Sequence, residues 1–164
     1  MRLLTLVFGI FIALSEGALG SSTEFTPVTI LHREGVIVPQ AFLRKSGLPA
    51  QGFWMPTTNQ LREAERLLPA FLDKERQSRP SVRELSEVIT LAPKSRRQYI
   101  GMITNGRKVI WINCFPPKPK NGVDAFGSWN SEIIDVSDGG SRFWGAVYDV
   151  KKHSFEKLIV NGSA

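Results

Sequence analysis

The sequence predicts an α+β fold in which one main helix packs on a curled antiparallel meander sheet of four or more strands. Three observations carry that expectation. Leu61, Ala64, Leu67, Leu68, Phe71 and Leu72 recur at three- and four-residue spacing, filling an arc of about 140° on a helix turning 100° per residue. Asn105-Gly106 separates two β-branched runs and is the strongest short hairpin signal, since both residues tolerate positive φ. Further apolar runs then follow one another, each pair with its own turn, and sequential hairpins make an antiparallel meander.

In chain order, Arg2 precedes an apolar run from Leu3 to Leu14, and small residues end at Ala18-Leu19-Gly20. That is the order of a secretory leader over residues 1–20, and the run falls short of the roughly 18–20 residues of a stable membrane span. Residues 21–56 read as an N-terminal arm. Within it, 25–31 and 36–38 are strand-like, while Pro27, Gly35 and Pro39 confine them to edges or to an irregular path.

Residues 57–164 read as a single α+β domain. Thr57 or Thr58 can cap the main helix, and Arg62, Glu63, Glu65 and Arg66 lie outside its apolar arc. Residues 74–81 form a charged connection, and 82–91 a short second helix with Leu85, Val88 and Ile89 inward. The Asn-Gly turn sets the register of the next two strands: Met102 faces Val109, Ile100 faces Trp111, Gln98 faces Asn113 and Arg97 faces Cys114. A loop over 116–127 is too polar and broken to join the core. Strands at 132–136, 142–150 and 155–160 complete the meander, with turns at 137–140 and 151–153.

Without the leader roughly 144 residues remain, one ordinary domain. The net charge of +6 gives a weak preference for acidic partners, but the basic residues are scattered and mark no specific nucleic-acid site. Cys114 is the only cysteine, so no intrachain disulfide can form and a packed core must supply the stability. It reads as a small buried hydrophobe.

No nucleophile elbow, zinc-binding helix pair, phosphate loop or dinucleotide fingerprint occurs in the sequence. No catalytic residue, metal ligand or cofactor is therefore expected. The unusual feature is apolar content on both strand faces. Ile100, Met102, Val109 and Trp111 lie on one; Tyr99, Gly101, Ile103, Ile110 and Ile112 lie on the other. One helix covers one face, so the arm, a second subunit or a ligand must cover the second. Tyr99, Trp111, Trp144 and Tyr148 are the candidate binding residues, oriented by Gln98 and Asn113. Those two amides must either satisfy a loop backbone or face a pocket.

Two passages, Arg97-Gln98-Tyr99-Ile100-Gly101 through Asn113-Cys114-Phe115 and Asp138-Gly139-Gly140-Ser141-Arg142-Phe143-Trp144 through Asn161-Gly162, resemble small exported bacterial proteins of unassigned function. The layout of residues 54–164 is similar to cystatin-like folds, including the nuclear-transport-factor-2-like and PepSY-like domains. That resemblance implies a ligand-holding or inhibitory module, and some relatives of that layout are enzymes. The cystatin inhibitory signature Gln-x-Val-x-Gly is missing from this sequence, and no family site residue carries over.

The leading expectation is an exported, non-catalytic binding module, periplasmic or extracellular, taking a protein or small ligand through an aromatic sheet face. One form of it is an inhibitor of, or immunity protein against, an envelope or secreted hydrolase. A second reading is a small hydrolase or isomerase with a pocket between helix and sheet, using Asp135, Asp149 or a histidine. A third is polyanion binding by loops carrying Lys118, Lys120, Lys151 and Lys152.

Overall fold

The computed structural model describes residues 23–162; the expected leader, 1–20, lies outside them. Seven strands form one sheet: β1 (Thr26–Ile30), β2 (Arg33–Ile37), β3 (Gly52–Trp54), β4 (Arg96–Thr104), β5 (Arg107–Phe115), β6 (Trp144–Asp149) and β7 (Ser154–Val160). The helices are α1 (Gln40–Leu43), α2 (Thr58–Ser78) and α3 (Arg83–Leu91). The strand order is β1-β2-β4-β5-β6-β7, with β3 also on β4.

This corrects the expected curled, cystatin-like antiparallel meander. The sheet is mixed, because β2 runs parallel to β4, and it is not strongly curled. One edge of β4 receives β2 at residues 97–99 and then β3, antiparallel, at 101–103. A parallel pair needs a long crossover, and here the crossover carries α1, β3, α2 and α3. Residues 26–54 thus supply three strands, two of which, β2 and β3, satisfy backbone groups that a free β4 edge would leave open.

The β4–β5 hairpin has the register that its turn dictates, with Gln98 opposite Asn113 and Ile100 opposite Trp111. Asn105 and Gly106 take φ of 50° and 70°. The expected strand at 132–136 is absent: those residues form no strand, and β6 pairs with β5 and β7.

Helix α2 begins at a capping box, in which Gln60 N donates to Thr57 Oγ1 and Thr57 N donates to Gln60 Oε1. It runs on through residues 74–78, expected as a connection, where Arg76–Asp73 and Arg79–Glu75 pairs support the exposed last turns. Leu61, Leu68 and Leu72 are buried against the sheet's Ile37, Ile110, Ile112 and Ala146, each burial giving about 1.5–3 kcal/mol.

The opposite face is covered from two sides. Phe42 and Leu43 of α1, with Phe25 and Leu48, pack there with Ile100 and Trp111. Trp129 and Ile133 close the rest. The connection expected to stay outside the core is in fact anchored. Arg96 makes a bidentate pair with Asp124 at 2.8 and 2.9 Å, and Phe126 meets Phe115 and Phe143 edge-on.

At the far corner of the sheet, Asp149 is buried and receives backbone N–H bonds from Lys151 and Lys152 at 2.9 and 3.0 Å. Arg107 bridges Asp149 and Glu156. Burial works to raise the Asp149 carboxyl, but the Lys152 N–H, the Arg107 guanidinium and the Lys151 N–H outweigh it and hold it below the usual range. Such a group adds stability that is present above the unfolded value, about 3.9, and lost as pH falls through the folded one. Asp149→Asn therefore lowers the urea midpoint at neutral pH, and its deficit against the wild type narrows below about pH 4. A deficit constant from neutral to strongly acid pH would contradict this account.

Candidate functional site

The polar cluster buried between α2 and the sheet starts with Glu65. On the helix projection it stands about 20° beyond Leu72, at the rim of the apolar arc. The sequence reading placed Glu65 outside; the structure buries it to 1% exposure. The buried stripe is Leu61, Ala64, Glu65, Leu68 and Leu72, while Leu67 and Phe71 at the arc's other end are only half-buried.

Strand alternation brings Arg97 and Tyr99 to the face that Glu65 meets. Arg97 Nε and the Tyr99 hydroxyl both donate to Glu65 Oε1, at 2.9 and 3.0 Å. Arg97 Nη1 and Nη2 donate to the carbonyls of Ser95 and Ala92 at 2.9 and 2.7 Å, tying the strand to the end of α3. Its guanidinium lies 5.3 Å from the centre of the Trp144 ring. Arg33, entering from β2, places Nη1 3.5 Å from Glu65 Oε2, within ion-pair reach but without a hydrogen bond. Arg33 Nε is also buried, without a hydrogen-bond partner among the described residues.

A cavity of about 180 Å³ lies between α2 and α3. Arg33 and Arg97 line it together with the apolar Leu68, Leu72, Ile89 and Ala92; Asp73 also borders it. Burial, with the nearby Glu65 carboxylate next, pushes the Tyr99 phenol far above its ordinary value. Burial likewise pushes the Cys114 thiol up to about 12, against the opposing pull of Arg97.

The six candidate residues from the sequence divide between the two faces. Tyr99 and Trp144 belong to the buried cluster, and Tyr148 is buried farther along the same face beside Phe155. Gln98, Asn113 and the half-buried Trp111 are on the other. Gln98 Nε2 donates to the carbonyls of Trp129 and Glu132, and its Oε1 accepts from Ile134 N and Asn113 Nδ2. Asn113 Nδ2 also donates to the Ile134 carbonyl. Both amides therefore satisfy a loop backbone. Trp111 and Asn113 border a narrow cleft of about 40 Å³, where Trp111 Nε1 has no hydrogen-bond partner.

Arg33, Glu65 and Arg97 were missing from the candidate residues. Arg97 shares the inward parity of Tyr99, and a buried cation requires an acid; Glu65, next to the apolar arc, was the available one. The enzymatic candidates lie elsewhere: Asp149 is engaged at the far corner, and His153 pairs with Glu63 at 2.7 Å. Among the described residues no group of three His, Cys, Asp or Glu side chains could hold a metal, and no helix is long and apolar enough to cross a membrane. No protein-family model, curated protein or solved structure matches this chain.

Proposed function

We propose that this protein is a non-catalytic binding module holding a small ligand in the cavity between α2 and α3. The observation that carries the reading is the cavity itself, lined by Arg33 and Arg97 of the charge cluster, with Arg33 Nε buried and without a hydrogen bond among the described residues. Buried polar atoms without partners cost free energy that a bound polar group recovers. The aromatic residues expected to meet a partner stand inside the fold, so recognition moves from a sheet face to this space. Export rests on the leader pattern of residues 1–20.

The chemistry of the cluster favours binding over acid–base turnover. Its phenol and thiol are held protonated, and its carboxylate sits between two guanidiniums. Neither the phenol nor the thiol is placed to exchange a proton near neutrality.

A fragment screen on methyl-labelled protein tests the reading. Binders are expected to shift the methyl resonances of Leu68, Leu72 and Ile89. Ala92→Leu, which adds bulk to the lining, abolishes those shifts while the rest of the spectrum stays folded. Fragments that leave all three side chains unmoved, or that bind the filled variant equally well, would remove the proposal.

A further inference from the structure

We infer that the cavity is selective for a small monocarboxylate carrying a short aliphatic chain, an inference that rests on the binding reading above. The first argument is charge. The cluster holds two guanidiniums, Arg33 and Arg97, against one carboxylate, Glu65. Tyr99 and Cys114 are neutral and contribute no compensating charge. Asp73, also on the lining, pairs with Arg76 at 3.5 Å. One positive charge is thus in excess where Arg97 and Glu65 side chains are 1% and 0% exposed and Arg33 is 20% exposed. Excess charge with restricted access to water is costly unless paired, and an anion in the cavity supplies the pair.

The second argument is hydrogen bonding. Arg33 Nε has no acceptor, and Arg97 commits three of its five N–H groups to protein oxygens. Guanidinium N–H groups match the two oxygens of a carboxylate. The third is shape and polarity. Beside the two arginines the lining includes Leu68, Leu72 and Ile89, which suit an aliphatic tail and would leave a second charged end unsatisfied. Taking about 30 Å³ per water-sized unit, 180 Å³ accommodates about six heavy atoms, the size of a four-carbon acid.

The probes are isobutyrate and its neutral isostere isobutyramide, titrated into the methyl-labelled protein. Isobutyrate is expected to shift Leu68, Leu72 and Ile89 saturably and to bind at least about tenfold more tightly than the amide. Arg33→Gln should erase most of that preference, and its folded spectrum is the control. Equal or tighter binding of the amide overturns the carboxylate inference and leaves the cavity reading standing. So does silence from both probes when other fragments still shift the same methyls. Silence from every fragment overturns both.

Discussion

Replacing Glu65 with alanine lowers the stability of the fold by about 3–5 kcal/mol, the cost of stranding a buried charge. Arg97 cannot turn out into bulk water: its side chain is 1% exposed, and two of its N–H groups are already fixed on the carbonyls of Ser95 and Ala92. Tyr99 loses its Glu65 acceptor in the same step. The loss is a large share of the roughly 5–15 kcal/mol that holds an ordinary domain together, and it corresponds to a melting temperature lower by about 10 °C. The double variant Glu65→Leu/Arg97→Leu is expected to recover part of the deficit, because replacing a whole buried pair with apolar groups is close to break-even. Arg33, partly exposed, can then turn toward solvent. Urea unfolding of Glu65→Leu, Arg97→Leu and the double variant measures the coupling. Deficits that simply add would show that Glu65 and Arg97 do not depend on each other.

The reason that cluster escaped sequence reading lies in helix geometry. The apolar arc of α2 was centred on Leu61 through Leu67, whereas contact with the sheet is centred nearer Leu68 and Leu72, which carries Glu65 inside. A rotation of about 40° in the assumed centre decides whether a rim residue is wet or buried. Periodicity fixes the stripe to no better than that. Local turn chemistry was more legible. Asn105-Gly106 sets every pair from Thr104–Arg107 to Arg96–Phe115, because a two-residue turn leaves one register.

Long-range pairing was not legible. Val36 and Ile37 carry strand composition, but nothing near them indicates that their partner is β4, about sixty residues on, or that the pairing is parallel. Gly35, read as a breaker, sits inside the sheet because a Cβ there would stand 2.6 Å from Tyr99 Cε2. The run Ile133-Ile134 was mistaken for a strand for the converse reason. The Ile134 N–H and carbonyl are met by the side chains of Gln98 and Asn113, a substitute for a ladder that composition does not reveal. Of the candidate residues, Tyr99 and Trp144 reach the cavity's charge cluster. They do so as buried supports of Glu65 and Arg97 and not as an exposed aromatic surface.

Gly101→Ala is expected to cost about 3 kcal/mol, the upper part of the range for forcing atoms into a filled site. A Cβ at Gly101 would stand 2.1 Å from the Trp54 carbonyl oxygen and 3.0 Å from Pro56 Cδ. These are backbone and a proline ring, so no rotamer change makes room. Nor can the chain lift away freely. Trp54 is the pairing partner of Gly101 in β3, and its indole N–H donates to the carbonyls of Met102 and Val109 at 3.0 and 3.3 Å. Pro56 immediately precedes Thr57, the cap of α2, so any displacement passes into the start of the helix that carries Glu65. Gly52→Ala, on the same small strand, is the matched control: its Cβ would meet nothing closer than Ile103 Cδ1 at 3.5 Å. There the ordinary gain of about 0.5–1 kcal/mol from replacing a strand glycine applies instead. Paired urea unfolding of the two variants should therefore give shifts of opposite sign. Equal midpoints would mean that β3 does not press against Gly101 and that residues 52–56 leave the sheet by another path.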